Sequence, residues 1–299
     1  MTTSPSPSPS PSAVAAPIDG DALLARVVHA LMARFDKYLF PGDDVELADV
    51  SAAYTLTALL GDGVAEHLAA VRGGGGGGSL PDEGAWVPLT GTDTVPAAAA
   101  GAAGEPWLAG TALLAGSGLG LPGFRLLTRL PATDGGDGGA AGLPVLAAAE
   151  VAALRVWAGV PAAGAEITDD ANPLDARLWA AVSWDKGCYL GQETIARLRT
   201  YNGVRLALYG LNVAAPAGGG VAPGDAVRLA DAADGDKPAG VVTSVVGLAK
   251  GGAWALAYLR VKGGAATPGV AVVVGEERAA AVVRDIVHAS PPPLPPSKL

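Results

Sequence analysis

The only cysteine of the chain, Cys188, lies in a segment whose residue types favour thiol chemistry. Lys186 precedes it by two residues, and Gly187 and Gly191 flank it. The glycines predict a tight turn with open backbone amides, and the residues from Gln192 onward predict a helix. A nearby cation and a helix N-terminus both lower the pKa of a thiol, because both stabilise the thiolate. We therefore predict a reactive sulfur, although an isolated cysteine is more often an inert core residue.

The predicted helix that follows carries further polar side chains. Glu193 and Arg197 are four residues apart, so they can pair along one helix face as a purely structural contact. Gln192 either faces solvent or hydrogen-bonds to the edge of a ligand. The residue types alone leave both interpretations open for each of these side chains.

Metal and dinucleotide sites are not predicted. The three histidines, His29, His67 and His288, lie far apart, and the sequence has no CxxC, HExxH or acidic calcium loop. One thiolate cannot hold an iron–sulfur cluster, which normally takes four. A GxGxxG pattern spans Gly118 to Gly123, but Pro122 stands where the dinucleotide-binding helix would begin, so a turn is predicted instead.

The composition excludes several classes of partner. The 299 residues include 20 basic and 29 acidic side chains, which gives a formal net charge of −9 and no Lys/Arg cluster. General binding to nucleic acid or to an anionic membrane surface is therefore not expected. The apolar stretch from Trp107 to Phe124 is broken by glycines and a proline, so no membrane span is predicted. A single cysteine excludes an intrachain disulfide and fits a reducing compartment.

The hydrophobic pattern predicts an α+β domain followed by an all-β domain. Helices are predicted at 21–38, 64–71, 145–156 and 192–199, strands at 45–47 and 54–60, and a short helix or strand pair at 173–184. Short β-rich runs at 204–211, 226–229, 239–246, 254–261, 270–274 and 279–287 indicate a small barrel or sandwich. The predicted domains are a disordered Ser/Pro-rich segment at 1–20, the main domain at 21–211, the β domain at 212–288 and a Pro-rich tail at 289–299.

The segment KGCYLGQETIAR at Lys186–Arg197 resembles the signature of the YgfZ/GcvT-related proteins, which are paralogues of the glycine-cleavage aminomethyltransferase. The longer stretch Asn172–Gly203 is most similar to the plant chloroplast branch of that family. The resemblance implies a GcvT/TrmE-like folate-binding α+β domain, N-terminally shortened here, followed by a C-terminal β-barrel. It also implies a role in assembly or repair of iron–sulfur proteins, with tetrahydrofolate as cofactor and the signature cysteine required.

The resemblance carries residue roles onto this chain. It makes Cys188 the essential catalytic residue, with Lys186 beside it, and it implies the following folate-binding positions: Tyr189, Gln192, Glu193, Arg197 and Trp157. In folate-binding relatives, the strand that resembles 154–159 carries a glutamate that reads the pterin ring, and Trp157 occupies that place here. A carboxylate accepts two hydrogen bonds from a pterin edge, whereas an indole can only stack or donate one.

Three functional hypotheses follow. The first is a folate-dependent accessory protein that acts through Cys188 on iron–sulfur proteins or cluster-assembly factors, as a monomer. The alternative is a tetrahydrofolate-dependent, aminomethyltransferase-like one-carbon transferase, and the third is a structural scaffold that keeps the motif only for its turn. The resemblance implies the chloroplast. The C-terminal tripeptide Ser297-Lys298-Leu299 instead matches a peroxisomal signal, and the mitochondrion is a further alternative.

Overall fold

A computed structural model describes residues 20–40, 42–71, 80–81, 86–88, 112–129, 143–214, 220–233 and 236–287. Residues 1–19 of the predicted disordered segment and the whole predicted tail at 289–299 lie outside this range. The chain divides into two units, Met1–Thr55 and Leu56–Leu299. Among the described helices, none combines the length and the apolar composition needed to cross a bilayer.

The first unit contains the predicted N-terminal helix, α1 (Gly20–Asp36). A short 3-10 helix, Ser51–Ala53, follows, and the Asp49 carboxylate accepts a hydrogen bond from the Ser51 amide (2.9 Å) at its start. The predicted strand at 45–47 is wrong, because these residues have no regular structure. Three alternating residues are too few to commit a chain to a strand without a neighbouring strand to pair with.

The second unit begins within β1, the first strand of a four-stranded sheet of order β1-β4-β3-β2. Its elements are β1 (Tyr54–Leu60), α2 (Val64–Val71), β2 (Trp86–Pro88), β3 (Ala112–Ala115) and β4 (Gly123–Arg129). The strand β1 and the helix α2 were predicted, and both are confirmed. Leu59, Leu113 and Leu126 form the buried core of this sheet with residues of α2. The GxGxxG segment is the turn between β3 and β4, as predicted. Because Gly123 approaches Leu59 closely, any side chain there would collide with the Leu59 carbonyl.

The third helix, α3 (Ala148–Ala158), confirms the predicted helix in this region. Its first turn is closed by the Glu150 carboxylate, which accepts a hydrogen bond from the Ala147 amide (2.7 Å). It ends at Gly159, whose φ of 83° is readily adopted by glycine. Trp157 therefore lies in the last turn of a helix. The strand that the resemblance implied around it is wrong, because helical hydrogen bonding continues through this segment to the Gly159 amide.

A closed six-stranded barrel follows, with strand order β10-β5-β8-β7-β6-β9. The strands are β5 (Leu206–Val213), β6 (Ala226–Leu229), β7 (Gly240–Gly247), β8 (Ala253–Arg260), β9 (Ala271–Val274) and β10 (Ala279–Arg284). The predicted β-rich runs all fall on these strands, and the barrel rather than the sandwich is confirmed. Alternate residues, among them Leu211, Val227 and Leu259, fill the interior. The strand β5 lies across the predicted domain boundary at 211/212.

A buried polar cluster joins α3 to the barrel. The fully buried Glu166 accepts hydrogen bonds from Arg155 Nη1 (3.1 Å), the Ala162 amide (2.9 Å), Thr243 Oγ1 (2.6 Å) and Ser244 Oγ (2.6 Å). Arg155 also donates to Ser244 Oγ (2.8 Å). A buried carboxylate is tolerated when its charge is paired and its oxygens accept hydrogen bonds, and both conditions hold here.

A second arginine fixes the C-terminal end of α3. Arg284, at the end of β10, donates to the carbonyls of Trp157 (2.6 Å) and Val156 (2.9 Å). A cation at this position complements the exposed carbonyls of a helix end. Burial lowers the pKa of Arg284, since an enclosed guanidinium loses solvation. The helix is therefore anchored to two different barrel strands.

Candidate functional site

The cysteine-containing loop precedes the fourth helix, α4 (Gln192–Thr200), which confirms the predicted helix start. Gly191 occupies the N-cap with a φ of 83°. The Gln192 side chain turns back and accepts a hydrogen bond from the Tyr189 amide (3.3 Å). The Lys186 ammonium lies 4.9 Å from the centroid of the Tyr189 ring, within range of a cation–π contact. Three predicted site residues, Lys186, Tyr189 and Gln192, are thus brought together.

Cys188 lies on this loop as an exposed, free thiol. The neighbouring Gly187 and Gly191 are exposed as well, and 87% of the Leu190 surface is accessible. An added Cβ at either glycine would meet no atom within 4 Å, so the space beside the loop is open. The thiol therefore lies on an open, exposed loop of the protein.

Aromatic contacts attach the loop to α4 and to the preceding segment. The guanidinium of Arg199, on α4, lies 4.3 Å from the ring centroid of Trp184. Trp179 belongs to a short 3-10 helix, Trp179–Ala181, and its ring centroid lies 6.0 Å from that of Trp184. Residues 173–184 form turns and this single 3-10 helix instead of the predicted short helix or strand pair. These stacked side chains position the chain just before Lys186.

A concavity of about 430 Å³ lies beside α4. Its lining consists of Asn172, Asp175, Thr194, Arg197, Leu198, Tyr201, Gly203 and Arg205. The Asp175 carboxylate accepts hydrogen bonds from the amide nitrogen and the side-chain nitrogen of Asn172. Burial raises the pKa of Asp175, and the hydrogen bonds from Asn172 oppose that rise only in part. The concavity thus offers a carboxyl group, a guanidinium and an aromatic ring to a polar, planar ligand.

The turn that carries Asp175 is tied to the barrel. The Asp175 carbonyl accepts a hydrogen bond from the Leu208 amide on β5 (2.9 Å). Arg177 pairs with Asp285 (2.5 Å) and lies 4.8 Å from the centroid of the Tyr209 ring. The position of Asp175 is therefore set by barrel residues rather than by α4.

The predicted site residues divide between four places. Cys188 shares its loop with the Lys186–Tyr189–Gln192 contacts, whereas Arg197 lines the concavity. Glu193 is exposed in the first turn of α4. Trp157 packs against the barrel, where its ring centroid lies 6.3 Å from that of Trp254. Among the described residues, no hydrogen bond or ring contact joins Trp157 to 186–193.

Sequence reasoning did not assign Asn172, Asp175, Tyr201 or Arg205 to the site. Asn172 and Asp175 stand in an NPLD turn, where an asparagine followed three residues later by an aspartate is an available signal. Within the described residues, no group of three or more His, Cys, Asp or Glu side chains is arranged to hold a metal ion.

Comparison with known proteins gives one informative similarity. No family profile matches the chain. A protein of Arabidopsis thaliana named as a putative chloroplastic transferase is 42% identical to this chain over 125 residues. The match covers 42% of this chain and 26% of the relative, so it spans about a quarter of the relative's length. The predicted resemblance to a chloroplast protein is confirmed.

Proposed function

We propose that this protein is a chloroplast, folate-dependent accessory protein that acts on iron–sulfur proteins through Cys188. The observation that carries the proposal is the exposure of this thiol on a loop held at both ends. Gln192 closes the loop on the α4 side, and the Trp184–Arg199 contact holds the chain before it. Active sites for small molecules usually enclose the reacting groups, whereas an exposed thiol is open to a macromolecular client.

The chemistry proposed for the sulfur is coordination. Cys188 releases its proton to water, and the thiolate donates an electron pair to an iron atom of the client's cluster. The cluster is the substrate in this scheme, and a single thiolate is sufficient because the client supplies the remaining ligands.

The side chains that line the concavity are of types that suit a folate ring. A pterin presents adjacent N–H donors along one edge, and the Asp175 carboxylate can accept from them. Because Trp157 is committed to the barrel, we assign the role of the missing glutamate to Asp175, with Arg197 and Tyr201 beside the ring. Bound tetrahydrofolate would supply a carrier for one-carbon groups.

Complementation tests the role of the thiol. The Cys188→Ala variant is expected to fold normally but to fail to restore an iron–sulfur enzyme in a strain that lacks the related gene. Ser183→Ala is a matched control, since Ser183 is also exposed and precedes the loop. It is expected to restore activity as well as the unchanged protein does. Full rescue by Cys188→Ala would refute the proposal.

The second candidate is a one-carbon transferase of the aminomethyltransferase type. The specific observation in its favour is the name of the Arabidopsis relative. Titration calorimetry with tetrahydrofolate, followed by an assay with an aminomethyl donor, separates the two candidates. Binding without turnover supports the accessory role, and binding with turnover supports the transferase.

The chloroplast assignment is tested by imaging. A fluorescent protein fused to the C-terminus masks the tripeptide Ser297-Lys298-Leu299, and an N-terminal fusion leaves it free. The C-terminal fusion is expected in chloroplasts. Peroxisomal signal that appears only in the N-terminal fusion would show that the tripeptide is read as an import signal.

A further inference from the structure

A basic groove of about 740 Å³ lies at one end of the barrel, beside the concavity of Asp175. Its lining carries three cations, Arg205, Arg260 and Lys262. Arg205 comes just before β5, and Arg260 is the last residue of β8. The two chain segments are held together by a hydrogen bond from the Val261 amide to the Arg205 carbonyl (3.0 Å).

The three cations of this groove have no acidic neighbour in its wall. Among the described residues, the ion pairs join Arg155 to Glu166 and Arg177 to Asp285, and neither pair involves a groove residue. The whole chain carries more acids than bases, 29 against 20. Three cations that line one concave wall repel each other, and a concave wall concentrates their field. Such a wall is stabilised by an anion.

The groove is continuous with the candidate folate site. Tyr201, Gly203 and Arg205 line both the groove and the concavity. A ligand that enters the concavity with one end can therefore extend along the same segment into the groove.

We propose that the basic groove binds an oligocarboxylate chain, namely the oligo-γ-glutamyl tail of the folate. This identity rests on the proposed function, whereas the anionic chemistry rests on the groove alone. Arginine pairs with carboxylates through parallel N–H donors. Val204 and Leu206, the neighbours of Arg205 in the groove lining, offer apolar surface to the methylene groups that separate successive carboxylates in such a chain. A polyphosphate has charge at every unit and no such apolar spacer.

The experiment compares tetrahydrofolate carrying one glutamate with tetrahydrofolate carrying five, by calorimetry on the full chain at low salt. The five-glutamate form is expected to bind about tenfold more tightly, because each exposed charge pair contributes modestly and several act together. Arg260→Gln/Lys262→Gln is expected to abolish this gain and to leave the affinity of the one-glutamate form unchanged. Lys250→Gln is the matched control, since Lys250 is exposed in the turn before β8, at the opposite end of that strand. It is expected to retain the gain.

The outcomes separate this inference from the proposed function. Equal binding of the two folates, or a gain in affinity that survives Arg260→Gln/Lys262→Gln, overturns the proposed role of the groove in binding the tail. Binding of free penta-γ-glutamate without binding of either folate supports the groove and overturns folate dependence. Failure of all three ligands to bind overturns both. Tighter binding of tripolyphosphate than of penta-γ-glutamate overturns the assignment of carboxylates.

Discussion

The buried Glu166 provides the strongest test of how α3 is held on the barrel. Replacing it with alanine removes the acceptor for four hydrogen bonds and the partner of the Arg155 guanidinium. Breaking a buried ion pair from one side costs about 3–5 kcal/mol, because it leaves a charge without its partner. Arg155 keeps its bonds to Val160 and Ser244, so we expect the lower part of that range, about 3 kcal/mol.

A glutamine at the same position separates charge from shape. Glu166→Gln keeps the size of the side chain and one acceptor oxygen, but it turns an amide donor toward groups that also donate. We expect a loss of about 2 kcal/mol in the free energy of unfolding, smaller than for alanine. The exposed Glu276, in the turn before β10, gives the control, and Glu276→Ala is expected to change stability by less than about 0.5 kcal/mol.

Guanidinium denaturation, followed by circular dichroism and by tryptophan fluorescence, measures these differences. The Trp157–Trp254 pair lies where α3 meets the barrel and reports on their separation. A Glu166→Ala variant within about 1 kcal/mol of the unchanged protein would refute the view that this cluster holds the helix. Equal losses for alanine and glutamine would show that charge pairing, rather than packing, carries the whole effect.

Three further predictions concern single side chains. Gly159→Ala is expected to lose about 3 kcal/mol in denaturation experiments, since its Cβ would lie 2.2 Å from the Ile286 Cβ and its φ is positive. Gly164→Ala shares the positive φ but has open space around it, so a loss of only about 1 kcal/mol is expected, and equal losses would contradict the clash. Because burial raises the pKa of Asp175, the folded state is favoured below the ordinary carboxyl pKa and loses that advantage as the pH rises through the raised value. Asp175→Asn is therefore expected to be more stable than the unchanged protein at neutral pH, with the difference vanishing in acid, and a difference independent of pH would contradict it. Burial, followed by the charges of Asp175 and Glu166, raises the pKa of Tyr258 to about 12, so ultraviolet absorbance titration is expected to show a phenol that ionises near pH 12.

The β-barrel could be predicted from sequence because each strand carries its own signal. The predicted β-rich run at 226–229, for example, coincides with β6 (Ala226–Leu229). Closure of the barrel depends on pairings such as β10 with β5, which join residues far apart in the chain. Local patterns contain no information on such pairings. They therefore indicated the strands and left open whether they formed a barrel or a sandwich.

For the same reason, only part of the candidate site could be predicted from the sequence. The loop at 186–191 and the helix after it form from neighbouring residues, and their motif was recognisable. Asp175 lies in the wall beside Arg197 only because its turn is hydrogen-bonded to β5. Glu166 accepts a hydrogen bond from Thr243, which lies 77 residues later in the chain. Such contacts depend on tertiary packing, which the types of adjacent residues do not encode.

The two halves of the candidate site differ in how firmly they are held, and this difference suits the proposed function. Asp175 is buried, bonded to Asn172 and tied through its carbonyl to the barrel. Cys188 is exposed on a loop held by one hydrogen bond, from the Tyr189 amide to the Gln192 side chain, and by stacking around Trp184. A planar cofactor requires groups that are fixed before it binds, since binding energy is otherwise used to order them. A thiol that must reach the clusters of different client proteins requires access and some freedom to adjust. One chain can combine both because the barrel fixes the first half, whereas the second half depends on the short helix α4.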